Sequence, residues 1–69
     1  MAGTRGRGRV EEFDEARGIG IIDGADGARL AFHCTRIADG SRTVRVGSEV
    51  RYEVVPGVLG WEAAAIDPA

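Results

Sequence analysis

Arg17-Gly18-Ile19-Gly20-Ile21-Ile22 and Leu30-Ala31-Phe32-His33-Cys34-Thr35-Arg36-Ile37 are the stretches whose reading decides the fold. Each is too short for a stable helix and rich in β-branched or aromatic residues, so each reads as a strand. Asp23-Gly24-Ala25-Asp26-Gly27 lies between them. Its Asp-Gly pairs accommodate positive φ and turn the chain back on itself. The two strands therefore run side by side. Alternation puts Ile19, Ile21 and Asp23 on one side of the first strand, with Gly20 and Ile22 on the other. On the second, Leu30, Phe32 and Cys34 alternate with Ala31 and His33. Gly20 inside a strand marks a tight bend or a close backbone approach.

Upstream, Arg9-Val10-Glu11-Glu12-Phe13-Asp14 reads as a preceding strand. Val10 and Phe13 have opposite parity, so this strand bends or bulges between them. Residues 1–8 show no apolar periodicity and read as a flexible Arg/Gly arm. Its arginines either track a phosphate backbone or serve only solubility. Downstream, Thr35-Arg36-Ile37 forms one helical turn and Ala38-Asp39-Gly40-Ser41 a loop. Val44 and Val46 make apolar contacts in a connection ending at Gly47. Val50, Tyr52 and Val54 alternate with Arg51, Glu53 and Val55 in a fourth strand. Pro56-Gly57 turns the chain into a last strand, Trp61 to Ile66, which Asp67-Pro68 ends. Five such strands over residues 9–67 predict an all-β, closed five-stranded antiparallel Greek-key barrel (OB-fold).

A chain of 69 residues has room for one small core. Cys34 is the single cysteine, so neither an internal disulfide nor a cysteine metal set is available. No apolar run approaches the ~18 residues of a membrane span and the start carries no secretory pattern, which places the expected location in the cytoplasm. The formal net charge is −2. Its distribution is uneven: Arg5, Arg7 and Arg9 precede Glu11, Glu12, Asp14 and Glu15. Gly18-x-Gly20 lacks the third glycine and the following helix of a phosphate cradle, and no nucleophile–base pair is visible. Asp23 and Asp26 lack calcium-loop spacing and read as turn residues. The expectation is a binding module, not an enzyme, with no cofactor, no metal, no small-molecule substrate and no membrane contact.

The order of these motifs resembles the cold-shock domain family. That family's first RNA-binding motif is a basic residue followed by Gly-Phe-Gly-Phe-Ile, and Arg17-Gly18-Ile19-Gly20-Ile21-Ile22 occupies its place. The second, Val-Phe-Val-His-Phe-Ser-x-Ile, is matched by Leu30 to Ile37. Gly8-Arg9-Val10-Glu11-Glu12-Phe13-Asp14 resembles Gly-Lys-Val-Lys-Trp-Phe-Asn. Gly47-Ser48-Glu49-Val50-Arg51-Tyr52-Glu53-Val54 resembles Gly-x-x-Val-x-Phe-x-Val. The resemblance implies a cold-shock-like barrel that binds single-stranded RNA or DNA by stacking bases on surface rings, each worth roughly 1–3 kcal/mol.

Carried over residue by residue, the stacking set is depleted. Glu12 stands where the family has tryptophan. Ile19, Ile21, Ala31 and Cys34 stand where it has phenylalanine, and only His33 keeps a ring. Glu11 replaces a lysine and Glu62 a glutamine, while Trp61 appears where proline is usual. Positions expected in the core stay apolar: Val10, Ile22, Leu30, Phe32, Ile37, Val50, Tyr52 and Val54.

Arg9, Arg17, Ile19, Ile21, His33 and Trp61 are the expected nucleic-acid contacts. Each also has a plainer reading. Ile19 and Ile21 suit a protein contact equally well. His33 is otherwise a surface histidine with a local partner, and Trp61 otherwise packs over the barrel end. Two functions follow. One is weak binding of single-stranded RNA or DNA, serving the regulation of transcription or translation. The other is a divergent face that binds a protein partner or a second copy in a homodimer.

Overall fold

The computed structural model describes residues 4–41, 43–57 and 60–69. Among these, the strands are β1 (Thr4–Asp14), β2 (Ile19–Gly24), β3 (Arg29–His33), β4 (Glu49–Gly57) and β5 (Gly60–Pro68). A 3-10 turn, Cys34–Arg36, follows β3. The strands close into a barrel in the order β1-β2-β3-β5-β4, with β4 returning to β1. The seams are antiparallel except β3–β5, which runs parallel through the pair Ala31 and Glu62.

The register explains the parity problem in β1. Val10 pairs with Ile22 and Phe13 with Gly20, and the register shifts between Val10 and Glu12. The extra residue, Glu11, lets the strand turn both apolar side chains toward the interior. Phe32 is 1% exposed. Its ring stacks on that of Phe13, centroids 5.8 Å apart and planes within 1°. Gly20 supplies the space: a Cβ there would lie 2.6 Å from Phe32 Cε1. Ile22, Leu30, Ile37, Val50, Tyr52, Ala63 and Ile66 complete the buried cluster with Val10, and Val54 and Val44 pack against it. Val46 does not; it is largely exposed.

Residues 4–8, expected to belong to a flexible arm, are strand. Thr4 pairs with Val54, and the ladder continues to Arg9 opposite Glu49. Met1 to Gly3 lie outside the described residues. The cause is the Tyr52 ring, which lies over Gly6 so closely that a Cβ there would meet Cε1 at 2.9 Å. The Tyr52 hydroxyl donates to the Arg7 carbonyl at 3.2 Å. At the other end, Val50 pairs with Pro68, so β5 continues through Asp67-Pro68 rather than stopping before them. The helical turn begins one residue earlier than expected, at Cys34. Pro56 and Gly57, expected to turn the chain, are still in β4, paired with Trp61 and Gly60.

Two outcomes are expected. Phe32→Ala removes a fully buried ring and should cost roughly 3–5 kcal/mol, which leaves so small a domain largely unfolded; a variant that melts like the wild type would contradict the inward placement. The second concerns Tyr52. Burial first, then the Asp26 and Asp23 carboxylates, raise its phenol above the ordinary value of 10.0. The folded state therefore holds this proton more tightly than the unfolded chain. Its contribution is fully present below the unfolded value and is lost as pH rises through the folded one. In melting curves from about pH 9 upward, the wild type should lose stability relative to Tyr52→Phe. A difference that stays constant with pH would contradict this.

Candidate functional site

The ladder registers lay out the outer face of β1, β2 and β3 as three rows. Glu12 lies opposite Ile21, Ile21 opposite Ala31, and Ala31 opposite Glu62 of β5. In the next row Asp14 lies opposite Ile19 and Ile19 opposite His33. Arg9, Asp23 and Arg29 form the third. Neighbouring members of a row stand on strands about 4.8 Å apart. Ile19 and Ile21 therefore occupy the middle of a continuous surface whose flanks are acidic.

The expected contacts divide. Ile19, Ile21 and His33 come together on this face, with Ile19 36% exposed. Arg17 sits at its edge, in the turn between β1 and β2. That turn is closed by Gly18 N–H donating to the Asp14 carbonyl at 2.8 Å and by Arg17 N–H donating to Asp14 Oδ1 at 3.2 Å. Arg17 borders a shallow depression with Glu12, Asp14, Ile19 and Ile21. Arg9 lies in the third row, and its guanidinium pairs with Glu49 at 3.3 Å.

Trp61 is not brought to this group. It pairs with Pro56 and shares parity with Ala63 rather than with Glu62. It is not packed over the barrel end either, being 65% exposed. Cys34, at a position where the resemblance implies a ring on the face, is half-buried and packs against the core cluster. The reason is local: the chain leaves the sheet for the 3-10 turn at Cys34.

Electrostatically the face is mixed. Glu11, displaced outward at the bulge, pairs with Arg29 at 3.0 Å. His33 caps the 3-10 turn: Thr35 N–H donates to its Nδ1 at 3.3 Å, and Thr35 Oγ1 lies 2.9 Å from the same nitrogen. This holds the imidazole with Nδ1 turned back to the protein and Nε2 on the opposite side of the ring. No group of three or more metal-ligating side chains occurs among the described residues. Motif reading singles out no role for Arg51, yet register places it directly opposite Arg7. Its outward parity between Glu49 and Glu53 was the available signal.

Comparison with known proteins fits this geometry. Residues 6–69 match a family model described as the 'Cold-shock' DNA-binding domain. The chain belongs to the cold-shock domain family. Cold shock-like protein CspD of Vibrio cholerae is 38% identical over 63 residues, covering 88% of this chain and 83% of that protein. Cold shock protein CspB of Bacillus caldolyticus is 36% identical over 61 residues, covering 87% and 92%. Among solved structures, drosophila Unr CSD456 superposes with a TM-score of 0.79 at 28% identity over 97% of this chain, which spans 27% of that one. The family match begins at Gly6, inside β1.

The capping geometry makes one checkable statement about the cold-shock face. Because Nδ1 accepts from Thr35 N–H, neutral His33 should carry its proton on Nε2. Nitrogen NMR of the imidazole should show an unprotonated Nδ1 and a protonated Nε2. The reverse pattern would mean that the ring does not cap the turn.

Proposed function

We propose that this cold-shock domain binds single-stranded RNA or DNA weakly and mainly through charge, in the service of transcriptional or translational regulation. The observation that carries the reading is the row arrangement itself. Glu12, Ile19, Ile21, Ala31 and His33 stand where the family places its stacking residues, and they share one outer face. Isoleucine and alanine touch a base by dispersion alone, without a π face. Acids at Glu12 and Asp14 repel a phosphate path along the same face. What remains is the pull of Arg9 and Arg17, the ring of His33, and Trp61 as a lone exposed indole beyond the edge. Attraction of this kind weakens steeply as salt rises.

The test is restoration. Ile19→Phe, Ile21→Phe, Ala31→Phe and Glu12→Trp rebuild the rings on a face whose geometry is unchanged. Cys34 is left alone because it packs inward. Each working stack contributes on the order of 1 kcal/mol, so two should tighten affinity for a pyrimidine-rich single strand about 30-fold. Titration of folded variants, checked by thermal melting, should show affinity rising stepwise with each ring. The exposed Ile19 beside Ile21 also suits a protein contact, and a face of that kind would gain nothing from the rings. Wild-type binding that is tight and persists at high salt would contradict the charge-dominated mode.

A further inference from the structure

The strand that begins at Thr4 puts Arg5 and Arg7 beside β4, with Arg9 between them and the rest of the third row of the isoleucine face. Alternation points Arg5, Arg7 and Arg9 outward on β1, successive ones about 7 Å apart. Across the β1–β4 seam they face Glu53, Arg51 and Glu49 in turn. Arg9 pairs with Glu49 at 3.3 Å, with both side chains largely exposed. Arg7 faces Arg51 directly, and like charges directly opposite each other destabilise a sheet. Among the described residues, the side chains of Arg5, Arg7 and Arg51 make no hydrogen bond or ion pair. Glu53, in register with Arg5, and Asp67, in register with Arg51, share the surface without pairing to them. The three guanidinium-bearing residues border a shallow hollow that also takes in Gly6, Tyr52 and the carboxylates of Glu53 and Asp67.

We propose that this β1–β4 face is a second contact surface for nucleic acid, one that holds the sugar-phosphate backbone through Arg5, Arg7 and Arg51 and reads no base. The proposal rests on the nucleic-acid reading above and relocates the charge that drives it. Three features carry it. A direct arginine–arginine pair brings no packing return in so small a domain, and a bound phosphate relieves it with charge-assisted bonds. The surface offers no ring for stacking: Tyr52 is buried with its hydroxyl bonded inward. It is also continuous with the other face, since Arg9 lies opposite Glu49 on β4 and opposite Asp23 on β2. A strand crossing β1 would leave the acidic flank of Glu12 and Asp14 and reach a basic one.

The experiment uses the full chain and two fluorescent single strands of equal length, one pyrimidine-rich and one abasic, titrated over a range of salt. The wild type should bind both. The triple variant Arg5→Gln, Arg7→Gln, Arg51→Gln should weaken binding to both and reduce the slope of log affinity against log salt by about 2, as expected for three phosphate contacts on a single strand. Ile19→Ala with His33→Ala should weaken the pyrimidine strand while leaving the abasic strand unchanged. Thermal melting controls for folding, and relief of the like-charge pair should not lower the triple variant's melting temperature. A triple variant with the wild-type slope overturns this proposal while leaving the isoleucine face as the site. A wild type that binds neither strand overturns the underlying reading and this proposal with it. Arginine-dependent binding to phosphatidylserine vesicles without binding to either strand would reassign the surface to a membrane.

Discussion

An aromatic ring seated where a glycine leaves out its side chain is the constraint on which this barrel depends. Phe32 fills the space above Gly20 and lies flat against Phe13. That one packing unit joins β1, β2 and β3, because its members come from all three strands. It also pins their registers. A slip of one residue would turn every side chain of a strand to the opposite face and drive the ring out of its seat. Tyr52 over Gly6 repeats the device across the β1–β4 seam. Ring-on-glycine packing therefore holds three of the seams, β1–β2, β2–β3 and β1–β4, and the bulge at Glu11 lets β1 serve both rings.

Once the registers are pinned, the outward residues inherit fixed neighbours without contributing much to the fold. Changing an exposed side chain usually shifts stability by less than about half a kcal/mol, whereas changing a buried one shifts it by several. This asymmetry accounts for a barrel that keeps Val10, Ile22, Leu30 and Phe32 inside while presenting Ile19, Ile21 and Ala31 outside. The face keeps its layout and has different chemistry on it. Its apolar centre is shorter-ranged in what it attracts than a ring would be, and its acidic flanks favour approach from the arginine side.

Most of the architecture was legible in the sequence because strands of this kind announce themselves by period-two alternation. Alternation sorts each strand's residues onto two faces, the family resemblance says that Val10, Ile22, Leu30, Phe32, Val50 and Tyr52 lie on the inner one, and the bulge follows from the conflict between Val10 and Phe13. The alternating arginines and glycines of residues 5–9 carry the same period. Glycine has no apolar side chain to mark an inner face, and what keeps these positions empty is distant in sequence: the Tyr52 ring over Gly6 and the β2 backbone at Asp23 and Gly24 against Gly8. At Cys34 the two readings disagree: alternation groups it with Leu30 and Phe32, the resemblance implies a ring on the face, and the side chain packs against the core where the 3-10 turn begins. Val46, expected to make an apolar contact, is exposed in the connection before β4, and Trp61, expected as a nucleic-acid contact or else packed over the barrel end, is exposed near the start of β5. Arg51 escaped notice because its meaning lies in a cross-strand partner, Arg7, which register alone identifies.

The β3–β5 seam is the thinnest in the wall. Its ladder consists of the Ala31–Glu62 pair, helped by an isolated bridge between Ile37 and Ile66, against runs of several pairs elsewhere. Fewer backbone bonds and fewer packed neighbours make such a junction the cheapest place for local opening. The barrel thus behaves mechanically as a sheet rolled from β3 round to β5 and latched at two short junctions, Ala31–Glu62 and Ile37–Ile66. Breathing at the first would separate Glu62 from Ala31 while leaving Glu12, Ile21 and Ala31 in line, so the width of the outer face is tied to the weakest ladder in the wall.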